Sequence, residues 1–218
     1  MLQEKLNASR VLMTEVSQNR KKDNEHQNIV RKNNTFFDAY TKYFVPIIKG
    51  YIICSRYTHA HFSEKTKKEL EKMVEYTKAA FEKKVVTAPD RYREHVKKLL
   101  EQMEMEWKTQ TDEYLAEIKE ELGILKLVSN ERQEINHILQ FMNSFSCWQT
   151  DKSASNEFDN LMMKAEEILS HMEFDAEIAG FLRKVKDKKA SLSDLTDSII
   201  AWIRKENLSS NIMLSIKN

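Results

Sequence analysis

The sequence predicts an all-α protein, a multi-helix bundle with one helix of about 40 residues and a short strand-like C-terminus. Three observations predict it. Gly (3) and Pro (2) make up about 2% of the 218 residues, against about 12% in an average protein. That is too few turn residues for sandwiches, barrels or Gly-rich nucleotide folds. Apolar residues are 41% of the chain, enough to bury a core. Through most of the chain they recur at three- and four-residue steps, the spacing of a helix face.

Residues 2–33 read as the first helix, with Leu2, Leu6, Met13 and Val16 on one stripe. From Ser17 to Asn28 no residue is apolar. Such a stretch is solvent-bridging, partner-covered or frayed, and the middle of this helix is expected to project into water. Asn33 or Asn34 suits the N-cap of a second helix, Thr35 to about Phe62. It is the most apolar element, rich in Phe, Tyr and Ile, and is expected at the centre with neighbours on several sides. Pro46 should kink or split it. The run Tyr43–Cys54 is too short for a membrane span and contains Lys49, so it reads as core. A lipid-surface role for this run is a weaker third class of function.

Ser63 opens a third helix to about Val86, with Leu70, Met73, Thr77, Ala80 and Phe81 on its stripe. Pro89 then suits the first turn of the next helix, which runs to about Val128. Its stripe is Val96, Leu100, Met103, Trp107, Thr111, Tyr114, Ile118, Leu122 and Leu125. That spacing repeats every eleven residues, a period suited to a straight rod of about 60 Å. Gly123 is a candidate early end. Arg91, Arg93, Lys97 and Lys98 near its start and Glu117, Glu120 and Glu121 near its end oppose the helix dipole.

Asn130 with Gln133 resembles a capping box for a helix Glu131–Phe145. A polar loop from Ser144 to Ser155 follows, and Trp148 within it either pins the loop or forms an exposed contact. Further helices are expected from about Asn156 to Met172, from Asp175 to Lys188, and from a Ser193 cap to Glu206. In the tail, Ile212, Leu214 and Ile216 alternate with more polar residues, a strand period. The domain reading is a main bundle over 1–146, a linker over 147–155 and a C-terminal subdomain over 156–218.

Charge is uneven although the formal net charge is +1. Residues 1–100 are strongly basic and 101–151 strongly acidic. The expected reason is pairing between adjacent helices; a basic face for a polyanion is the other.

Several chemistries are excluded or disfavoured. Glycines at 50, 123 and 180 cannot form a phosphate loop. Only one Glu-x-x-His unit, Glu134 and His137, exists, where a di-metal bundle needs two. Cys54 and Cys147 have no metal-ligand spacing. No metal and no cofactor is therefore expected. One catalytic pattern remains, Arg-x(4–6)-His, the spacing found in helical HEPN-type ribonucleases. Arg20–His26, Arg56–His61 and Arg132–His137 fit it, where about 0.7 chance matches are expected. It is a pattern match rather than a family resemblance, and Arg56 with His61 is the best-placed pair.

The leading expectation is a non-enzymatic helical interaction subunit, cytoplasmic, docking onto a larger assembly or onto itself. Its candidate contact residues are Trp148, Ile212, Leu214 and Ile216. The alternative is an RNA- or DNA-binding helical protein, HEPN-like if catalytic. It would use Arg56 and His61 for cleavage and Lys83, Lys84, Arg91, Arg93, Lys97 and Lys98 for phosphates.

Overall fold

The computed structural model describes residues 2–129, 131–170, 176–205 and Leu208, with residues 2–9 described by backbone alone. The described residues are mostly helical and include no strand. Asn130 of the expected capping box lies outside them, as do Ile212, Leu214 and Ile216 of the expected strand.

The first two expected helices are not separated at Asn33–Asn34. Helix α1 runs unbroken over Leu2–Ala39 and passes through a π turn, Tyr40–Phe44, into α2, Val45–Cys54. Pro46 explains the π turn. Its ring crowds the carbonyl four residues back, and it has no N–H to donate. The wider turn absorbs both defects: Val45 donates its N–H to Tyr40, five residues earlier. The helix stops at Cys54 rather than near Phe62. Beyond it, the Arg56 and Tyr57 amides close tight turns onto Ile53 and Cys54 at 3.2 and 3.0 Å.

Helix α3, Glu64–Lys83, starts as expected at Ser63, whose hydroxyl accepts the Thr66 N–H at 3.3 Å. Lys84 ends it in the left-handed conformation (φ 54°). Helix α4, Pro89–Leu125, is the long helix. Helix α5 covers Arg132–Phe145, α6 Lys152–Ser170, α7 Ala176–Lys186 and α8 Asp197–Lys205. The expected 147–155 loop is shorter than its sequence suggested, since residues 152–155 form the first turn of α6. Ser155 is fully buried there. Ser193 does not cap α8; Thr196 does, accepting the Ile199 N–H at 3.3 Å. The run before it forms a separate 3-10 turn capped by Ser191 and Asp194.

The chain divides into two compact units. The first comprises the residues up to Ile52 together with Phe62–Met105. An aromatic cluster fills it. Phe36 lies 4.9 Å from Tyr92 and 5.8 Å from Phe81, and Tyr76 stacks on Tyr92 at 5.1 Å. Thr77 uses its one hydroxyl proton on the Met73 carbonyl at 2.7 Å, so the buried Tyr92 hydroxyl donates to Thr77 at 2.8 Å. Ile47, Leu70, Val96, Leu99 and Met103 complete this core. Each such side chain contributes about 1.5–3 kcal/mol on burial. Phe37 and Ile52 remain half exposed (50% and 52%). The segment from Thr35 to Cys54 therefore buries mainly one face, where neighbours on several sides were expected.

The second unit comprises Ile53–His61 and the chain from Glu106 onward. Its core holds Trp107, Leu115, Leu122, Ile135, Ile138, Phe145, Phe158, Phe181 and Leu182. Phe145 stacks on Phe158 at 3.8 Å, and Tyr57 meets both rings edge-on. The eleven-residue stripe assigned to α4 is followed through Trp107 and Thr111. It then shifts: Leu115 is fully buried while Tyr114 is 45% exposed. The stripe resumes at Leu122 and Leu125, which are buried, so the departure is local to this turn.

Candidate functional site

The most unusual surface lies on α1. Every side chain from Arg10 to Lys32 is exposed. The stretch includes Leu12 (60%), Met13 (72%), Val16 (50%), Ile29 (57%) and Val30 (43%). A shallow groove along the helix is lined by Leu12, Met13, Val16, Arg20 and Asn24, among others. Past this stretch, Phe36 and Ala39 turn into the first unit's core, whereas Asn34, Phe37 and Asp38 stay exposed. The outward face of α1 is thus continuous from its free part to its packed part.

Arg56 and His61 both lie in the Ile53–His61 segment of the second unit. The Arg56 guanidinium donates to Ser155 Oγ at 3.0 Å and lies 3.9 Å from the Asp159 carboxylate. The Tyr57 hydroxyl joins the same group, 2.7 Å from Ser155 Oγ and 3.1 Å from Asp159. Burial is the main cause that pushes the Tyr57 phenol up to about 12. His61 is held by its backbone. Gln110 accepts its N–H and donates to its carbonyl, each at 2.7 Å. His59 stacks on Tyr114 at 4.3 Å and 7°, and its Nε2 lies 3.4 Å from Thr111 Oγ1. Burial first, and the nearby His61 second, lower the His59 pKa. The arrangement anchors a loop: Arg56 meets a hydroxyl and a carboxylate, and His59 is packed between aromatic rings.

The basic residues proposed for phosphate contact belong to the first unit. Lys83 and Lys84 form the end of α3, and Arg91 is exposed on α4. Arg93 lies 3.9 Å from Asp38, and Lys97 lies 3.7 Å from Glu101. Lys98 borders a cavity of about 230 Å³ with Lys65, Glu69, Met73 and His95. Part of the acidic stretch is answered by the C-terminal helices: Glu120 pairs with Arg183 at 3.1 Å and Glu134 with Lys164 at 2.9 Å.

Trp148 is half buried. The residue that pins its loop from within is Trp107, whose indole N–H reaches the Phe145 and Cys147 carbonyls. Asp112 adds a second anchor, accepting from Ser146 at 2.6 Å. That bond, with Lys119 at 3.3 Å, holds the Asp112 carboxyl below the usual range. Cys54 is fully buried and its thiol is pushed up to about 12 by burial, whereas Cys147 is exposed. No helix among the described residues is long and apolar enough to cross a membrane. No group of three or more potential metal ligands occurs among them.

No protein-family model, curated protein or solved structure matches the chain.

Proposed function

We propose that the protein is a non-enzymatic helical interaction subunit that docks onto a cytoplasmic assembly through the outward face of α1. One observation carries this reading: Arg10 to Lys32 is helical yet exposed on every side. Helical stability in proteins comes mostly from packing an apolar face, which this stretch does not do in the single chain. A helix polar nearly all round, with a local apolar stripe, is one that bridges solvent or is covered by a partner. The stripe at Leu12, Met13 and Val16 is where that cover would bury the most apolar area. Trp148 and the alternating Ile212, Leu214 and Ile216 stay in the proposal as secondary contacts, on their sequence pattern.

The test is substitution on the exposed stripe, which leaves both cores untouched. Met13→Asp with Val16→Asp in the full chain should remove stoichiometric companions from a native pull-down. The urea midpoint of the purified protein, read at a dilution where it does not self-associate, should stay unchanged. Retention of the same companions at the same stoichiometry would overturn the reading.

A further inference from the structure

We infer that the occupant of the α1 face is a second copy of the chain, paired antiparallel about the point between Arg20 and Asp23. This inference rests on the docking reading above and names its partner. The stripe of Leu2, Leu6, Met13 and Val16 does not end where the apolar residues end. Taken at alternating four- and three-residue steps, it includes Ser9 and continues through Arg20, Asp23, Gln27, Val30, Asn34 and Phe37. This is the spacing of a heptad seam along one helix. From Met13 to Val30 every seam residue is exposed in the single chain. The seam also avoids Phe36 and Ala39, which face the first unit's core, and continues onto the exposed Phe37. It can therefore be covered without disturbing that core.

The charges at its centre select the partner and its direction. A parallel pair of identical helices sets each seam residue against its own copy. Arg20 would face Arg20 and Asp23 would face Asp23, buried like charges that cost heavily. In an antiparallel pair each first seam position meets the second seam position of the other helix. Twofold symmetry then makes every contact occur twice. Centred between residues 20 and 23, Arg20 meets the second copy's Asp23 and Asp23 meets its Arg20. Met13 meets Val30 in the same register, and Val16 lies against the aliphatic stem of Gln27. A polar pair at the seam fixes register at some cost in stability. The register also brings Arg10 near the other copy's Arg31 at the water-exposed edge, where salt screens the repulsion. The edge contact is screened by salt and the central pairs are not, so the centre of the seam sets the register.

The test is sedimentation equilibrium on the full chain, up to about 100 µM, with helical circular dichroism followed over the same range. The expected result is a monomer–dimer equilibrium with helicity rising on association. Arg20→Asp should weaken the dimer by about tenfold or more, and Arg20→Asp with Asp23→Arg should restore it. In a Cys147→Ser background, Met13→Cys with Val30→Cys should form an interchain disulfide on mild oxidation, and Met13→Cys alone should not. A chain that stays monomeric, a dimer indifferent to Arg20→Asp, or cross-linking by Met13→Cys alone would each overturn the inference. If the chain is monomeric and Met13→Asp with Val16→Asp still removes companions in the pull-down, self-pairing fails and docking on another protein stands. If that pair of substitutions removes nothing, the docking reading itself fails.

Discussion

The indole Nε1 of Trp107 donates to the carbonyl of Cys147 at 3.0 Å. The same N–H lies 3.2 Å from the Phe145 carbonyl. From the outer side, the Gln149 amide donates to both carbonyls, at 2.8 and 3.3 Å. The turn that ends α5 is thus held between a fully buried side chain of α4 and a half-buried one of its own loop. Burial decides which matters more. Water replaces the Gln149 amide at no great cost, whereas losing the indole leaves the two carbonyls only the Gln149 amide and removes packing from the core. Trp107→Phe should therefore lower the unfolding free energy by about 2 kcal/mol, from the lost hydrogen bonds and reduced packing. Gln149→Ala should cost about 0.5 kcal/mol. Urea titrations of the two variants check the order.

Much of this fold is legible in the sequence, and the failures share a cause. Pro89, Ser63 and the apolar spacings place α3, α4, α5 and α6 to within a few residues. Trp148 stands out because it lies in a polar loop, while Trp107 looks like one more stripe residue; only the fold brings its N–H to the loop carbonyls. Tyr114 and Leu115 exchange places for a similar reason. An eleven-residue period picks out Tyr114, but adjacent Leu115 is the one packed inside, and the period holds again at Leu122 and Leu125. The π turn is half legible, since Pro46 announces a defect but not its form. On α1, apolar residues alone end the stripe at Val16. Keeping the step and admitting Arg20, Asp23 and Gln27 carries it on to Val30. The strand-like tail falls on residues outside those described.

Gln110 ties α4 to the His61 backbone with both ends of its amide. His61 is exposed, so when the side chain is cut back water takes up its N–H and carbonyl, and only the net worth of the two bonds is lost. Gln110→Ala should cost about 0.5–1 kcal/mol. The His61 amide should exchange with solvent at least about tenfold faster, by local opening of the 55–61 segment. Gln110→Glu keeps the shape and the acceptor but loses the donor, so it should fall between wild type and alanine. Hydrogen exchange followed by mass spectrometry reads the segment directly. Unchanged exchange in the alanine variant would show that the segment is held by Arg56 and Tyr57 instead.

His59 makes the segment sensitive to acid. Burial and His61 hold its pKa below the ordinary 6.5, so between the two values the unfolded chain binds a proton that the folded one does not. Stability from this group is then complete above about pH 6.5 and is lost as the pH falls through the lower folded value. Protonation would also put a charge between Trp107 and Tyr114, which lie 5.4 and 4.3 Å from the ring. Aromatic faces accept a cation, so they limit the loss without removing the desolvation cost that sets its sign. His59→Phe preserves the stacking and removes the titration. The wild-type urea midpoint should fall between pH 7 and pH 5, and the variant's should fall less over the same range. Carboxylates such as Asp112, whose pKa is lowered by Ser146 and Lys119, act at lower pH and are common to both proteins. The difference between the two curves therefore isolates His59, and identical curves would mean that its ring titrates as it does in the unfolded chain.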